Sequence, residues 1–401
     1  MDKPAIVGGK PIRSESEFIV FGAPVIGREE IDEVTETLRS GWIGTGPRVQ
    51  RFENEFQKFI GAKHAVATNS CTAALHISLI ANGIKEGDEV IVTPMTFGAT
   101  ANVIEHARAK PIFADIEMDS YNIDPKEIRK KIGKKTKAIM PVHLFGLPCK
   151  MDEINEIAEK NNLKVIEDAA HALGSEFKGK RIGNLGNCTC FSFYPTKNIT
   201  TIEGGMITTG DADIANKAKV LRLHGQSAGA WERYSSKYGG ETYEIVYPGF
   251  KYNMPDVSAA LGLHQLKKLG GFLRTRARYA EIYEEELKDL NELILPPKGD
   301  RNFKHSWHLY AVLIKPELLK IDRDGVIKAL LKENIGVGIH YRALHLHSYY
   351  REKYGYKTGD YPNAEFVSER TFSLPLSPKM SEKDVYDVVA AVKRIVKYYR
   401  K

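Results

Sequence analysis

The sequence has 401 residues, 42% of them hydrophobic and 27% charged. That length buries a large core and ordinarily divides into two domains, and the composition is ordinary for a globular protein. Its 58 basic and 51 acidic residues leave a net charge of +7, which suits a small anionic substrate but lacks the clustering that nucleic-acid binding requires. No apolar run approaches the ~20 residues of a membrane helix. The start, Met1-Asp2-Lys3-Pro4, has no charged-then-apolar leader, so no membrane partner is expected and the cytoplasm is the expected compartment.

In chain order, His64 to Thr68 reads as a short strand, followed by the small polar turn Asn69-Ser70-Cys71. Thr72 opens a helical pattern with Leu75, Leu79 and Ile80 on one face and Gly83 as the stop. Free N–H groups at such a helix start suit a phosphate. Further strands are predicted at Glu89 to Thr93, Pro111 to Asp115, Ala138 to His143, Lys164 to Glu167, Thr189 to Phe193 and Met206 to Thr209, with helical stretches between most of them. This alternation predicts an α/β fold, a mainly parallel mixed sheet flanked by helices, with ligands outside the carboxyl ends of its strands. The basic run Arg129-Lys130-Lys131 falls at a predicted helix end, where a solvated cationic face is the ordinary reading. Asp211 to His224 is predicted as a helix, Gln226 to Tyr243 as a long loop over the substrate site, and Asp256 to Lys267 and Arg274 to Leu290 as two helices. A boundary at Gly270-Gly271 gives a large domain of residues 1–270 and a smaller C-terminal α+β domain of residues 271–401. In the latter, Leu309 to Ile314 follows as a strand, Asp324 to Glu333 as a helix, and a terminal helix begins at Glu382.

Two runs carry chemistry. Val165-Ile166-Glu167-Asp168-Ala169-Ala170-His171 is an apolar strand ending on an acid, and Phe191 through Thr201 is a strand entering a polar turn that holds Lys197. A lone lysine in a turn is usually solvated, and a lone aspartate after a strand is often a helix cap. Together with Ser192 they supply the groups that hold an aldehyde cofactor bearing a pyridine ring: an amine for the aldehyde, an acid for the ring nitrogen and a hydroxyl for the phosphate. The stretch from Asp168 to Lys197 is long enough to leave a sheet and return to it. Cys188 and Cys190 share one face of a predicted strand, and with Cys71 and Cys149 they read as free, buried thiols. His340, His345 and His347 have no carboxylate at a metal-site spacing, so no metal is expected.

These runs, in order, resemble the nucleotide-sugar aminotransferases known as the DegT aminotransferases, which are fold-type-I pyridoxal-phosphate enzymes. The resemblance extends from about Phe21 to about Ile395. It rests on Glu167 to His171, Ser192 to Thr201, Glu203-Gly204-Gly205, Gly249 to Asn253 and His340 to His345. It implies pyridoxal 5'-phosphate as cofactor. Lys197 would link to its aldehyde and shuttle the proton, and Asp168 would pair with the pyridine nitrogen. Thr72, Ala73 and Ser192 would bind the phosphate, Phe97 would stack on the ring, and His171 would sit beside the ring hydroxyl. Asn253 would reach the phosphate from the neighbouring subunit, which implies a homodimer with shared active sites. His340, Tyr341 and Arg342 would line the substrate pocket. Trp42 and Trp307 read equally as stacking on base or sugar and as core.

Some relatives of this fold are sugar dehydratases with histidine in place of the lysine; Lys197 favours transamination. The implied reaction is ping-pong, with L-glutamate as amino donor and a nucleotide-linked keto-sugar as acceptor, at C4 with C3 as the alternative, in cell-surface polysaccharide or glycan precursor synthesis. The runs Gly41 to Pro47, Trp307-His308-Leu309 and Ser368-Glu369-Arg370 resemble members that aminate a UDP-linked 4-keto-pentose (the 4-amino-4-deoxy-L-arabinose branch). Phe97, Tyr194 and Cys71 depart from that pattern. The leading segment Ala5 to Pro11 resembles members acting on keto-cyclitols or aromatic amine precursors. A non-catalytic regulator that keeps the cofactor pocket is the alternative outside enzymology, since fold does not fix function.

Overall fold

A computed structural model of the protein describes residues 3–227 and 243–401. Most of the predicted substrate loop, residues 228–242, lies outside the described residues. The chain begins with α1 (Arg28–Arg39) and α2 (Pro47–Ile60). α2 has a proline in its first turn and Gly61 at its C-cap with φ of 80°, the usual arrangement of proline at the start and glycine past the end. Strands and helices then alternate: β1 (His64–Thr68), α3 (Cys71–Ala81), β2 (Glu89–Val92), α4 (Gly98–His106), β3 (Lys110–Phe113), α5 (Pro125–Lys131), β4 (Thr136–Met140), α6 (Met151–Lys160) and β5 (Lys164–Asp168). After the small strands β6 (Glu176–Phe177) and β7 (Lys180–Arg181) come β8 (Cys188–Ser192), β9 (Gly205–Thr209) and α7 (Ala212–Leu221).

Seven strands form one sheet in the order β1-β9-β8-β5-β4-β2-β3. Pairing is parallel from β3 through β2, β4 and β5 to β8, and β9 runs antiparallel to both β8 and β1. This is the mixed, mainly parallel sheet that the alternation predicts, and each predicted strand is present to within a few residues. The central strands are buried on both faces: β8 (Cys-Thr-Cys-Phe-Ser) and β9 (Gly-Met-Ile-Thr-Thr) are buried at every position, as expected where helices cover both sides. Cys71, Cys149, Cys188 and Cys190 are all free and buried.

The two helices predicted after residue 256 are one. α8 runs unbroken from Asp256 to Leu287, so the predicted break at Gly270-Gly271 is absent. Ala259, Leu263, Leu266 and Leu269 in its first half pack under the large sheet, and Tyr279, Ala280, Ile282, Tyr283 and Leu287 in its second half pack in the C-terminal core. Two interior glycines cost about 1 kcal/mol each relative to alanine, and packing at both ends outweighs that local preference. Beyond α8 lie β10 (Leu293–Ile294), β11 (Phe303–Lys304), β12 (Tyr310–Ile314), α9 (Arg323–Lys332), α10 (Ser348–Tyr354), α11 (Pro362–Arg370), β13 (Thr371–Leu374) and α12 (Glu382–Tyr399). β10, β12 and β13 form an antiparallel sheet covered by α9 and α12. The N-terminal segment packs on this C-terminal unit. Ala5 and Ile12 donate their N–H groups to the buried Glu333 carboxylate, and Ile19 pairs with Ile335. No helix among the described residues is long and apolar enough to cross a membrane.

Candidate active site

A cavity of about 480 Å³ opens at the carboxyl ends of β5 and β8, and both Asp168 and Lys197 line it. Asp168 is the last residue of β5 and is buried. Its Oδ2 accepts from the Thr100 hydroxyl at 2.8 Å and its Oδ1 from the Ala170 N–H at 3.1 Å. Burial pushes its carboxyl up, while these two hydrogen bonds and the nearby Lys197 charge pull it down. Among the described residues Asp168 makes no ion pair within 4.0 Å, so a buried acid faces the cavity with its hydrogen bonds in place and no cation in direct contact.

Lys197 sits in the turn after β8, its N–H donating to the Tyr194 carbonyl at 2.9 Å. Burial pushes its ammonium down to about 8, against the pull of Cys71 and Asp168. At that value about a tenth of the amine is neutral at pH 7, against well under a thousandth for an unperturbed lysine. The Cys71 thiol beside it is pushed well up by burial and by Asp168, so it stays protonated.

The helix start lies across the cavity. Ser70 caps α3, its hydroxyl accepting from the Ala73 N–H at 3.1 Å. The N–H groups of Cys71 and Thr72 precede that bond, and Ser70, Cys71, Thr72 and Ser192 all line the cavity. β9 packs so closely behind the turn that a Cβ on Gly205 would lie 2.5 Å from the carbonyl carbon of Ser70, which explains the glycine at that position.

Most of the expected site residues converge. Thr72, Phe97, Asp168, His171, Ser192, Lys197, His340 and Tyr341 all line the cavity. Four do not. Ala73 is buried with its N–H taken by the cap. Arg342 is exposed, donates to the Leu346 carbonyl at 3.0 Å, and lies in an adjoining groove of about 680 Å³ that shares Thr96, Phe97 and Tyr341 with the cavity. Asn253 donates to the Thr45 hydroxyl at 2.6 Å, and Trp42 Nε1–H donates to the Thr45 carbonyl at 3.1 Å; both are tied to a loop before α2, outside the cavity wall. Trp307 stacks on His305 at 3.9 Å, away from the site.

His308 is the residue that sequence reasoning left unassigned. It lines the cavity, is 3% exposed, and lies against His171 with ring centroids 4.5 Å apart and the ring planes tilted by 38°. Its only signal in the sequence is its place between Trp307 and Leu309 at the start of a strand. Its carbonyl, with those of Trp307 and Leu376, accepts from the buried Arg276 guanidinium. Phe21 is a second addition: it lines the cavity and stacks on His340 at 5.4 Å. His345, by contrast, is fully buried and pairs with Glu365 at 2.9 Å. Among the described residues no group of histidine, cysteine and acid side chains is placed to hold a metal.

An amine made partly neutral by burial, a buried acid without a cation in contact, and a helix start with free N–H groups fit the aldehyde, ring nitrogen and phosphate of pyridoxal phosphate. The sequence matches the DegT/DnrJ/EryC1/StrS aminotransferase family over residues 24–393. The chain belongs to that family. It is 56% identical over 93% of its length to an uncharacterised protein of Methanocaldococcus jannaschii, of which it covers 96%. It is 49% identical over 96% of its length to the spore coat polysaccharide biosynthesis protein SpsC of Bacillus subtilis, of which it covers 99%. The fold matches a putative sugar aminotransferase of Streptococcus pneumoniae in its pyridoxal-phosphate form with a TM-score of 0.88, at 32% identity, covering 95% of this chain and 99% of that one. The same protein in its pyridoxamine-phosphate form matches with a TM-score of 0.89. The protein is therefore a DegT-family, pyridoxal-phosphate-dependent sugar aminotransferase of the fold-type-I class.

Proposed function

We propose that this aminotransferase moves an amino group from L-glutamate to C4 of a nucleotide-linked keto-sugar, with Lys197 as the catalytic residue, during synthesis of a cell-surface polysaccharide or glycan precursor. The observation that carries the assignment of Lys197 is its place beside Asp168 in one cavity, with its amine pushed down to about 8. Pyridoxal phosphate supplies an aldehyde that takes up an amine and a ring that draws electrons from the carbon losing its proton. Lys197 Nζ would hold the aldehyde and would move the proton at that carbon. Asp168, when ionised, would keep a proton on the ring nitrogen. Ser192, Thr72 and the first N–H groups of α3 take the phosphate dianion, which favours a helix N-terminus. Phe97 would stack on the ring and His171 would sit beside the ring hydroxyl.

The adjoining groove supports the nucleotide-linked acceptor. It carries the exposed Arg342 and the half-exposed ring of Tyr349, and it meets the cavity at Tyr341. A guanidinium suits a diphosphate and an aromatic face suits a base. Asn253 and its Thr45 loop are proposed to serve the partner's site in a homodimer, since neither lies on this cavity wall. The purified enzyme, given glutamate and a panel of UDP-, dTDP- and GDP-linked 4-keto and 3-keto sugars with a keto-cyclitol alongside, is expected to add one amine to a 4-keto member, read by product mass. Amination of the cyclitol alone would overturn the reading.

A further inference from the structure

The hydrogen bonds around His171 fix the direction of one hydroxyl. His171 is buried and lies between two donors or acceptors. The Phe145 backbone N–H points at its Nδ1 at 3.2 Å, and the Tyr341 hydroxyl lies 3.1 Å from its Nε2. A backbone amide can only donate, so Nδ1 must be the acceptor and carry no proton. The neutral ring then has its proton on Nε2, and that N–H donates to the Tyr341 oxygen. With its oxygen accepting on this side, the Tyr341 hydroxyl directs its own hydrogen elsewhere. No other hydrogen-bond partner of that hydroxyl is present among the described residues, and Tyr341 lines the cavity that holds Lys197 and Asp168.

The setting keeps this arrangement in one state. Burial and the nearby Lys197 and His340 push the His171 imidazolium well down, so the ring stays neutral. Burial and Asp168 push the Tyr341 phenol up, so it keeps its hydrogen. The His171 ring is held on its flank by His308, and the Phe145 amide is held by the loop that receives Leu309 N–H on the Phe145 carbonyl at 3.2 Å.

We propose that Tyr341 is a hydrogen-bond donor aimed into the cavity, oriented by the Phe145 amide acting through His171, and that its acceptor is the keto oxygen of the sugar substrate. The first half of this proposal stands on the geometry alone; the second rests on the acceptor class proposed above. It assigns to His171 a positioning role through Tyr341.

Two measurements test it. Nitrogen-15 NMR of the histidine-labelled, cofactor-loaded enzyme, with the His171 signals identified by their loss in His171→Gln, is expected to show a neutral ring protonated on Nε2. A proton on Nδ1 would overturn the proposal, because Tyr341 would then donate back to the histidine. In the second, Tyr341→Phe is expected to keep the visible absorbance of the bound cofactor and to lower kcat/KM for the keto-sugar by about 10²-fold, the effect of losing one aimed donor. An unchanged kcat/KM overturns the assigned acceptor while leaving the aminotransferase reading intact. If the wild type aminates no keto-sugar, the failure belongs to the proposed function and the NMR result still judges the donor direction.

Discussion

Thr100 shows at the scale of one residue how the fold tunes an acid. Its hydroxyl reaches Asp168 Oδ2 at 2.8 Å from the first turn of α4. A hydrogen bond to the charged form favours that form, so its loss raises the pKa of the acid. Thr100→Val is therefore expected to move the acid limb of the pH–rate profile to higher pH; a profile that superimposes on the wild type refutes the coupling. Lys197 makes the opposite case, a cation that burial disfavours. In the cofactor-free protein, the rate at which its amine takes up pyridoxal phosphate is expected to rise from pH 6 and level off above about pH 8, followed by the visible band that forms. A rate still climbing steeply at pH 10 would mean that the amine is unperturbed. Lys197→Ala is expected to keep the fold and to lose at least the 10²–10⁴-fold that a positioned acid–base group is worth, since the covalent attachment goes with it. Near-normal turnover would remove Lys197 from the mechanism. All three residues were visible in the sequence, but only Lys197 and Asp168 stood out. Threonine at the start of a helix is commonplace, and nothing local says that its hydroxyl meets an acid sixty-eight positions later.

The elements place the site by their ends. β5 and β8 are neighbours and parallel, so Asp168 and the turn carrying Lys197 emerge on the same edge of the sheet. α3 brings its N-terminus to that edge because β1 pairs with β9, whose first residue, Gly205, packs under the Ser70-Cys71 peptide. Gly205→Ala is expected to cost about 1–3 kcal/mol, since the added carbon overlaps backbone rather than a flexible side chain. The measurements are thermal unfolding and phosphate-dependent cofactor retention. An unshifted Tm with unchanged retention would show that the turn yields without cost. The strand–turn–helix signature was legible in the sequence from its short strand, its small polar turn and the helical pattern after it, while the capping role of Ser70 came only with the structure. The close approach of β9 was legible only as an unexplained glycine pair, because the contact joins segments far apart in the chain.

At the scale of the molecule, one helix ties the two cores together. α8 passes under the large sheet and ends inside the C-terminal core, and the N-terminal segment returns to that core through Glu333. We propose that the smaller domain comprises the second half of α8, the residues after it and this N-terminal segment. The subunit arrangement is the other question at this scale. If Asn253 serves the partner's site, mixing Lys197→Ala subunits with Asn253→Ala subunits is expected to restore activity in the hybrid dimers, because one site in each then has both wild-type residues. Activity no higher than that of the Asn253→Ala protein alone would place Asn253 in its own subunit's structure, consistent with its bond to Thr45.

The sequence alone determined the sheet class, and through its resemblance to a known family it implied the cofactor and the reaction type. Strand and helix periodicities are local, and an amine, an acid and a helix start suited to phosphate point to one cofactor only when they occur together and in order. Tertiary structure decided which side chains share a cavity: His308 and Phe21 enter it, while Ala73, Trp42, Asn253 and Arg342 stay off its wall. It also decided that Gly270-Gly271 continues a helix and that Tyr341 has a fixed hydrogen-bond sense. Those outcomes depend on contacts between segments far apart in the chain, where packing and the need to pair each buried polar group override what neighbouring residues prefer.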